Sequence, residues 1–170
     1  MEEGGADGRL RIRPGEPGDY ADILEIQRRA YAAKEVPLYG PDLPPLRETI
    51  EDLAKEAAAG VRILVGECRG RLVGSIRAER REGGEAHLYR LSVDPAWQGR
   101  GIGRRLALAA EEAWPDASAL ALDCGEKSLE NLHIYRQLGY RETGQAIQVP
   151  DGPRCLVLRK PAMKGRRCAT

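Results

Sequence analysis

The stretch Leu91-Ser-Val-Asp-Pro-Ala-Trp-Gln-Gly-Arg-Gly-Ile-Gly-Arg-Arg-Leu106 decides the fold. Its order predicts the end of a strand, a glycine-rich turn and the start of a helix. Glycines let the backbone approach a ligand closely and adopt positive φ angles. The free N–H groups at the start of a helix, together with the helix dipole, then form a site for an anion. We therefore expect a phosphorylated ligand at this turn.

Arginines reinforce the positive character of the same turn. Arg100, Arg104 and Arg105 lie within two helical turns, and no acidic residue occurs between Asp94 and Glu111. Two interpretations remain open for them: contacts to the bound anion, or the solvated surface of the helix. The whole chain is nearly neutral, with a formal net charge of +1 from 27 basic and 26 acidic residues. That balance argues against a protein dedicated to nucleic-acid binding.

Upstream of the turn, periodicity predicts one strand, two helices and then a run of strands. Leu10 and Ile12 alternate with arginines, and Asp19 is placed to cap the helix that follows. Residues 34–46 contain four prolines and are expected to be a loop. The apolar positions that define the two helices are Ile23, Ile26, Ala30 and Tyr31, then Ile50, Leu53, Ala54 and Ala57, with Gly60 as the C-cap. Strands are predicted over residues 61–67, 72–79 and 86–93, the first two joined at Arg69-Gly70-Arg71.

Downstream, the pattern predicts a helix over residues 101–114, a short buried strand over 119–122 and a helix over 128–138. Two strands follow, near 140–149 and 154–158. The resulting order, βααβββαβαββ, is that of a mixed α/β layer fold. We expect residues 1–8 to be a flexible leader, 9–160 to be a single domain and 161–170 to be a basic, disordered tail.

Two classes of phosphorylated ligand compete for the glycine turn. A dinucleotide would suit a GxGxxG pattern with an acidic residue about 20 positions later, where Asp123 lies. In this chain, however, the third glycine is out of position. The turn also follows three strands that are predicted to form an antiparallel meander, whereas a dinucleotide-binding turn belongs to an alternating βαβ unit. Coenzyme A is the other class.

The segment Gln98-Gly-Arg-Gly-Ile-Gly103 matches Q/R-x-x-G-x-G/A, and with its neighbours it resembles the GNAT superfamily of acyl-CoA-dependent N-acyltransferases. Leu91-Ser-Val93 resembles that family's splayed strand, and residues 130–140 resemble its late helix and following strand. The resemblance implies a central, mostly antiparallel twisted sheet of about seven strands flanked by about four helices. It also implies that splayed central strands hold acetyl-CoA, with no metal ion.

The resemblance assigns coenzyme contacts to matching positions. The backbone of Leu91, Ser92 and Val93 is expected to pair with the pantetheine arm. The pyrophosphate is expected on Gln98, Gly99, Arg100, Gly101, Ile102, Gly103 and Arg104. Ser128 and Asn131 are both candidates for a further contact, since members of the family place an asparagine at one or the other spacing before the tyrosine discussed next.

Candidate catalytic residues lie on the late helix and on the third central strand. Tyr135 matches the tyrosine taken to protonate the departing thiolate, and a phenol suits that role because its ordinary pKa is about 10; packing in the core is its other interpretation. Glu85, His87 and Tyr89 alternate onto one strand face unless a bulge intervenes. His87 occupies the position of a glutamate base in some members, and imidazole accepts a proton at neutral pH. A structural hydrogen bond is the alternative for His87.

These residues predict a cytoplasmic N-acetyltransferase that uses acetyl-CoA on a primary amine of a small molecule or peptide. The loop with Glu35, Tyr39 and Asp42 is expected to border the acceptor site. A non-catalytic acyl-CoA-binding module and a peptide or protein N-terminal acetyltransferase are the alternatives. The scattered cysteines favour a reducing compartment, and no apolar run is long enough for a membrane helix. A homodimer is also expected from the resemblance.

Overall fold

The computed structural model describes residues 8–162. Its strands are β1 Arg11–Pro14, β2 Arg62–Cys68, β3 Arg71–Arg80, β4 Ala86–Val93, β5 Ala119–Gly125, β6 Arg141–Gln148 and β7 Arg154–Pro161. Its α-helices are α1 Tyr20–Lys34, α2 Val36–Tyr39, α3 Ile50–Ala58, α4 Ile102–Glu112 and α5 Leu129–Gln137. Four of these helices are those predicted from the periodicity, and α2 is additional.

The seven strands form one mixed sheet in the order β1-β2-β3-β4-β5-β7-β6. Neighbouring strands pair antiparallel throughout except for β4 and β5, which are parallel. The sheet expected from the resemblance is confirmed in strand number and in its mostly antiparallel character. Arg69 and Gly70, with φ of 51° and 71°, make the predicted two-residue turn between β2 and β3; positive φ at both positions matches the right-handed twist of a hairpin.

Helices cover both faces of the sheet. On one face, Leu106, Ala107 and Ala110 of α4 are fully buried against the larger apolar core. A Cβ atom at Gly74 would lie 2.9 Å from Leu106 Cδ1 and 2.9 Å from the Ser92 carbonyl oxygen, so glycine lets α4 approach β3 closely. On the other face, Ile23 and Leu24 of α1 and Leu53 of α3 pack into a second, smaller core.

The prediction that Asp19 caps α1 with its side chain is wrong. Its carboxylate instead accepts hydrogen bonds from Arg13 at 2.7 and 3.0 Å and from the Glu16 N–H at 2.8 Å. A guanidinium offers two parallel donors to one carboxylate, and this bidentate geometry outcompetes a single backbone N–H. Asp19 therefore ties the end of β1 to the start of α1.

Two predicted boundaries also need correction. Residues 34–46 are not all loop, because Val36–Tyr39 forms the short helix α2, with Pro37 in its first turn where a missing N–H costs no hydrogen bond. Pro161, predicted to be the first residue of the tail, is the last residue of β7, where it pairs with Ala119. The rest of the predicted leader and tail, residues 1–7 and 163–170, lies outside the described residues.

Candidate active site

The two parallel strands β4 and β5 pair over three positions and then separate. The pairs are Ala86–Leu120, His87–Ala121 and Leu88–Leu122. Beyond them β4 continues to Val93 beside β3, while β5 continues to Gly125 beside β7. The gap between the diverging strands leaves the β5-facing edge of β4 open from Tyr89 onward. This is the splayed arrangement expected from the sequence.

A β-bulge at Arg90 sets which side chains face each side of that gap. Arg90 has φ of +53°, and the register between β3 and β4 shifts by one residue there. Such an extra residue re-aims the side chains that follow it. As a result, Leu91 and Val93 pack against Gly103 of α4. A Cβ atom added at Gly103 would lie 3.7 Å from Leu91 Cδ2 and 3.6 Å from Val93 Cγ2. Arg90 instead reaches Glu48 at 2.7 Å on the opposite face.

The glycine turn is held open by local hydrogen bonds. Asp94 Oδ1 accepts from the Ala96 N–H at 3.0 Å, and Gln98 Nε2 donates to the Val93 carbonyl at 3.1 Å. Gly99 and Gly101 have φ of +78° and +75°, and no atom lies within 4 Å of where their Cβ atoms would be. The side-chain positions of both glycines are therefore open, and both residues line the cavity described below at the start of α4.

The three arginines of this segment take different positions. Arg104 lines the cavity described next. Arg100 stacks on the Trp97 ring at 4.6 Å, and Arg105 donates to the Leu10 carbonyl at 3.2 Å. Arg104 is thus the arginine of the three placed toward a ligand in the gap.

A cavity of about 1190 Å³ runs from the glycine turn, through the gap between β4 and β5, to the segment after α1. Glu85 and Arg100 lie outside its wall, and Glu85 pairs with Arg159 at 2.9 Å. The predicted site residues that line it are His87, Leu91, Ser92, Val93, Gln98, Gly99, Gly101, Ile102, Gly103, Arg104, Ser128, Asn131 and Tyr135. The Ser92 hydroxyl is buried there, 2% exposed, without a hydrogen-bond partner in the protein.

Tyr135 lies on α5 at the cavity wall, with its ring 6.1 Å from that of Tyr140 in an edge-to-face arrangement. Burial raises the pKa of the Tyr135 phenol well above its ordinary value. Desolvation disfavours the charged phenolate, so the hydroxyl keeps its proton at neutral pH. A protonated phenol at this wall can act as a proton donor.

His87 and Asp123 face each other across the first positions of the gap. His87 Nε2 lies 3.0 Å from Asp123 Oδ2, and the histidine side chain is 5% exposed. His87 Nδ1 is buried without a hydrogen-bond partner, and Glu79 Oε1 is 3.9 Å away from it. His87 and Tyr89 share a face, as predicted, because the bulge comes after both of them.

Ser128 and Asn131 contact Glu35, the residue that follows α1. Ser128 Oγ donates to Glu35 Oε2 at 2.7 Å, and Asn131 Nδ2 lies 3.2 Å from Glu35 Oε1. The Tyr39 hydroxyl is 2.9 Å from Ser128 Oγ and accepts from the Lys127 N–H at 2.8 Å. These bonds draw the C-terminal end of α1 and the N-terminal end of α5 together over the cavity.

A buried polar network behind the cavity was not predicted from the sequence. Arg77 is 1% exposed and donates to Gln27, Glu48 and Glu56 at 2.8, 2.8 and 3.0 Å. Gln27 also donates to the Pro45 carbonyl at 2.8 Å, which fixes the segment before α3. The signal was present, since a charged residue inside an apolar strand and a glutamine on the apolar face of a helix both require buried partners.

The comparison with known proteins agrees with this geometry. A family model described as an acetyltransferase (GNAT) domain matches residues 59–142. An IAA acetyltransferase from Azospirillum brasilense is 32% identical over 132 residues, covering 75% of this chain and 86% of that protein. The chain belongs to the GNAT superfamily of acetyltransferases.

Other GNAT proteins share the sequence or the fold. Glucosamine 6-phosphate N-acetyltransferase from Trypanosoma brucei brucei is 29% identical over 140 residues, 78% of this chain and 89% of that protein. PaiA N-acetyltransferase from Thermoplasma acidophilum, solved with coenzyme A, has a TM-score of 0.76 at 18% identity and covers 90% of this chain and 99% of its own. YncA from Salmonella typhimurium, solved with acetyl-CoA, gives 0.71 at 16% identity, with coverage of 95% and 98%.

Two further observations bear on this GNAT chain. Within residues 8–162, no helix is long and apolar enough to cross a membrane. The same residues contain no cluster of three or more His, Cys, Asp or Glu side chains arranged to hold a metal ion.

Proposed function

We propose that this GNAT protein is an N-acetyltransferase that transfers the acetyl group of acetyl-CoA directly to a primary amine. The observation that carries the proposal is the one cavity that joins the open glycine turn, the free edge of β4, Tyr135 and the His87–Asp123 pair. Ligand-binding cavities of this kind, with few convergent polar groups, are the usual location of an active site.

The residues of the gap suit the parts of the coenzyme. Backbone N–H groups of residues 99–104, with Arg104, offer donors to the pyrophosphate at a helix N-terminus. The open edge of Leu91–Val93 offers backbone groups to the amides of the pantetheine arm, in the manner of an added strand. We expect Arg100 to contribute charge near the turn and no direct bond.

Catalysis would then depend on positioning and on proton transfers. The nitrogen of the neutral amine attacks the thioester carbonyl carbon, the C–S bond breaks, and sulfur leaves with the bonding electrons. Tyr135 gives its hydroxyl proton to the thiolate, the proton lost by the amine passes to water at the His87–Asp123 end of the cavity, and Tyr135 then takes one proton back from water. The products are an acetamide and a free thiol, with no acyl group on the protein. Holding amine and thioester together supplies much of the rate enhancement.

The acceptor is proposed to be a small molecule that carries an ammonium group. Glu35, Glu56, Glu79 and Asp123 line the cavity, together with the basic residues Arg81 and Arg90. The name of the Trypanosoma relative specifies a small amine, glucosamine 6-phosphate, as its acceptor. Carboxylates attract the ammonium group of such an acceptor because opposite charges interact strongly across a site of low dielectric.

A thiol-release screen tests this function. The protein is mixed with acetyl-CoA and with panels of simple amines, polyamines, aminoglycosides, amino acids and peptides, and each positive is checked by mass for one added acetyl group. Acetyl-CoA alone is the control for hydrolysis. Acetylation of small amines supports the proposal. Acetyl-CoA binding without thiol release on any panel would favour a non-catalytic module, and release with peptides alone would favour an N-terminal acetyltransferase.

A further inference from the structure

We infer that Asp123 is the residue that binds the ammonium group of the acceptor, and that His87 is a positioning residue behind it. The inference rests on the proposed function, and it reverses the emphasis that the sequence places on His87. Asp123 is the first residue of β5 beyond its last pair with β4, so it lies where the gap opens. Its side chain is 18% exposed, against 5% for that of His87.

The hydrogen bond between the two side chains fixes the tautomer of His87. An ionised carboxylate can only accept, so at 3.0 Å from Asp123 Oδ2 the Nε2 atom must carry the hydrogen. His87 Nδ1 then carries a lone pair. That atom is buried without a partner, and a neutral lone pair costs less to leave unsatisfied there than an N–H group would. The contact of Nε2 with Asp123 and the burial of Nδ1 therefore both favour the Nε2–H tautomer of His87.

This tautomer leaves His87 without a nitrogen that can reach a ligand. Nε2 is occupied by Asp123, and Nδ1 is shielded from the cavity by burial. The groups that face the ring are Glu79 from β3, Asp123 from β5 and Tyr89 from β4 itself. Behind them, Glu56 of α3 interacts with Tyr89, and Cys155 of β7 lies near Asp123.

The carboxylates near Asp123 are already paired with arginines, so Asp123 is the carboxylate of this group that is available to a cation. Glu56 is paired with Arg77 at 3.0 Å, and Glu79 is paired with Arg81 at 2.9 Å. Among the described residues, the partner of Asp123 is His87, and a ring that carries its hydrogen on Nε2 and a lone pair on Nδ1 leaves the charge of that carboxylate unpaired. An ammonium group that binds the carboxylate would complete its charge pairing, and His87 would keep the carboxylate in position through Nε2–H.

The tautomer can be tested without knowing the acceptor. His87 and His133 are the two histidines of the chain, so nitrogen NMR of the full-length protein resolves both, and His133→Gln assigns them. We expect the Nε2–H tautomer at His87 and a mixture of tautomers in Asp123→Asn. In Glu79→Gln, which removes the other carboxylate near the ring, the tautomer should stay unchanged. An Nδ1–H tautomer in the wild type would overturn the inference.

Cation binding is tested with ethylammonium as the probe and ethanol as the neutral control of similar size. Ethylammonium, and not ethanol, should shift the His87 signals of the wild type, and the shift should be lost in Asp123→Asn and kept in Glu79→Gln. No shift in the wild type, or an equal shift in Asp123→Asn, would refute ammonium binding at Asp123. These outcomes do not depend on acetylation.

Kinetics with an amine found by the screen add an independent readout. Asp123→Asn should raise the KM of that amine by on the order of tenfold or more, because a hydrogen bond to a charged group is lost. Its affinity for acetyl-CoA should not change. Asp123→Glu should recover part of the amine affinity. If the screen yields no acetylated amine, the proposed function fails, while the two NMR experiments still decide whether Asp123 is a cation site.

Discussion

At the scale of single residues, burial determines which protonation state each cavity side chain brings to the reaction. Tyr135 and Tyr140 lie edge to face, and burial raises the pKa of both phenols. The Tyr140 hydroxyl donates a hydrogen bond to Glu111 at 2.9 Å within the core, whereas Tyr135 lines the cavity. The two tyrosines lie five positions apart, and they differ because the Tyr140 hydroxyl is bonded within the core whereas Tyr135 is a residue of the cavity wall.

We expect Tyr135→Phe to lower kcat by on the order of a hundredfold, the usual contribution of a positioned general acid. The dissociation constant of acetyl-CoA should change little, because the ring and its packing remain. Tyr140→Phe is the matched control: it removes a hydroxyl of the same kind from the core and should lower the melting temperature while kcat stays near that of the wild type. Steady-state kinetics and calorimetry on both variants make the comparison. An unchanged kcat in Tyr135→Phe, with chemistry rate-limiting, would remove Tyr135 as the acid.

At the scale of elements, the proposed coenzyme site before α4 depends on the backbone of the glycine turn. Gly101 has φ of +75° at the N-cap of α4, and the space beside it is open. A side chain at this position would occupy the volume in front of the N–H groups. It would also be strained, since a non-glycine residue at positive φ costs ~1–3 kcal/mol.

Gly101→Val is expected to weaken acetyl-CoA binding by on the order of tenfold or more, because the added side chain blocks the anion site and distorts the turn. Gly70→Val is the control for backbone strain alone. It places a side chain at φ of +71° in the β2–β3 turn, where the space beside the glycine is also open. Both variants should lose similar stability, and only Gly101→Val should lose affinity in calorimetry. Equal affinities in two folded variants would disprove the assignment of this turn.

The junction between β1 and α1 gives a pH-dependent prediction. The hydrogen bonds from Arg13 hold the pKa of Asp19 below its ordinary value of 3.8, helped by the Glu16 N–H. A carboxylate with a lowered folded-state pKa contributes stability that is present above the unfolded-state value and is lost as pH falls through the folded-state value. Asp19→Asn should therefore cost about 1–2 kcal/mol at neutral pH. In urea unfolding, that difference should shrink below about pH 4; a difference that is constant with pH would contradict the role of this pair.

At the scale of the whole molecule, the sequence predicted local structure better than it predicted contacts between residues far apart in the chain. The glycine turn, the hairpin at Gly70 and the long helices follow from residue order, because each depends on neighbours within a few positions. The sequence could not show that Asp123 meets His87 across 36 positions, or that Arg77 joins Gln27, Glu48 and Glu56, because those contacts depend on which strands and helices become adjacent. The bulge at Arg90 has no simple residue signature, yet it decides which face Leu91 and Val93 occupy.

The sheet consists of two parts that share little hydrogen bonding. Strands β1 to β4 form one part and β5, β7 and β6 the other, and the described residues join them by the three pairs between β4 and β5. A ligand that fills the gap would contact both parts at once. Because it would bind the folded state and not the unfolded one, it would stabilise the whole molecule according to its affinity.

We therefore expect acetyl-CoA at about 100 times its dissociation constant to add ~2.7 kcal/mol to the free energy of unfolding. Hydrogen exchange should slow in residues 89–93 and 99–104, whose N–H groups the ligand would contact, and much less in the pairing of β1 with β2, which is remote from the gap. For a tenfold loss of affinity, Gly101→Val at the same concentration of acetyl-CoA should keep only ~1.4 kcal/mol of this stabilisation, whereas Gly70→Val should keep all of it and show the same slowing of exchange as the wild type. Protection confined to the glycine turn, with residues 89–93 unchanged, would mean that the coenzyme binds by its phosphates alone and that the open edge of β4 does not pair with it.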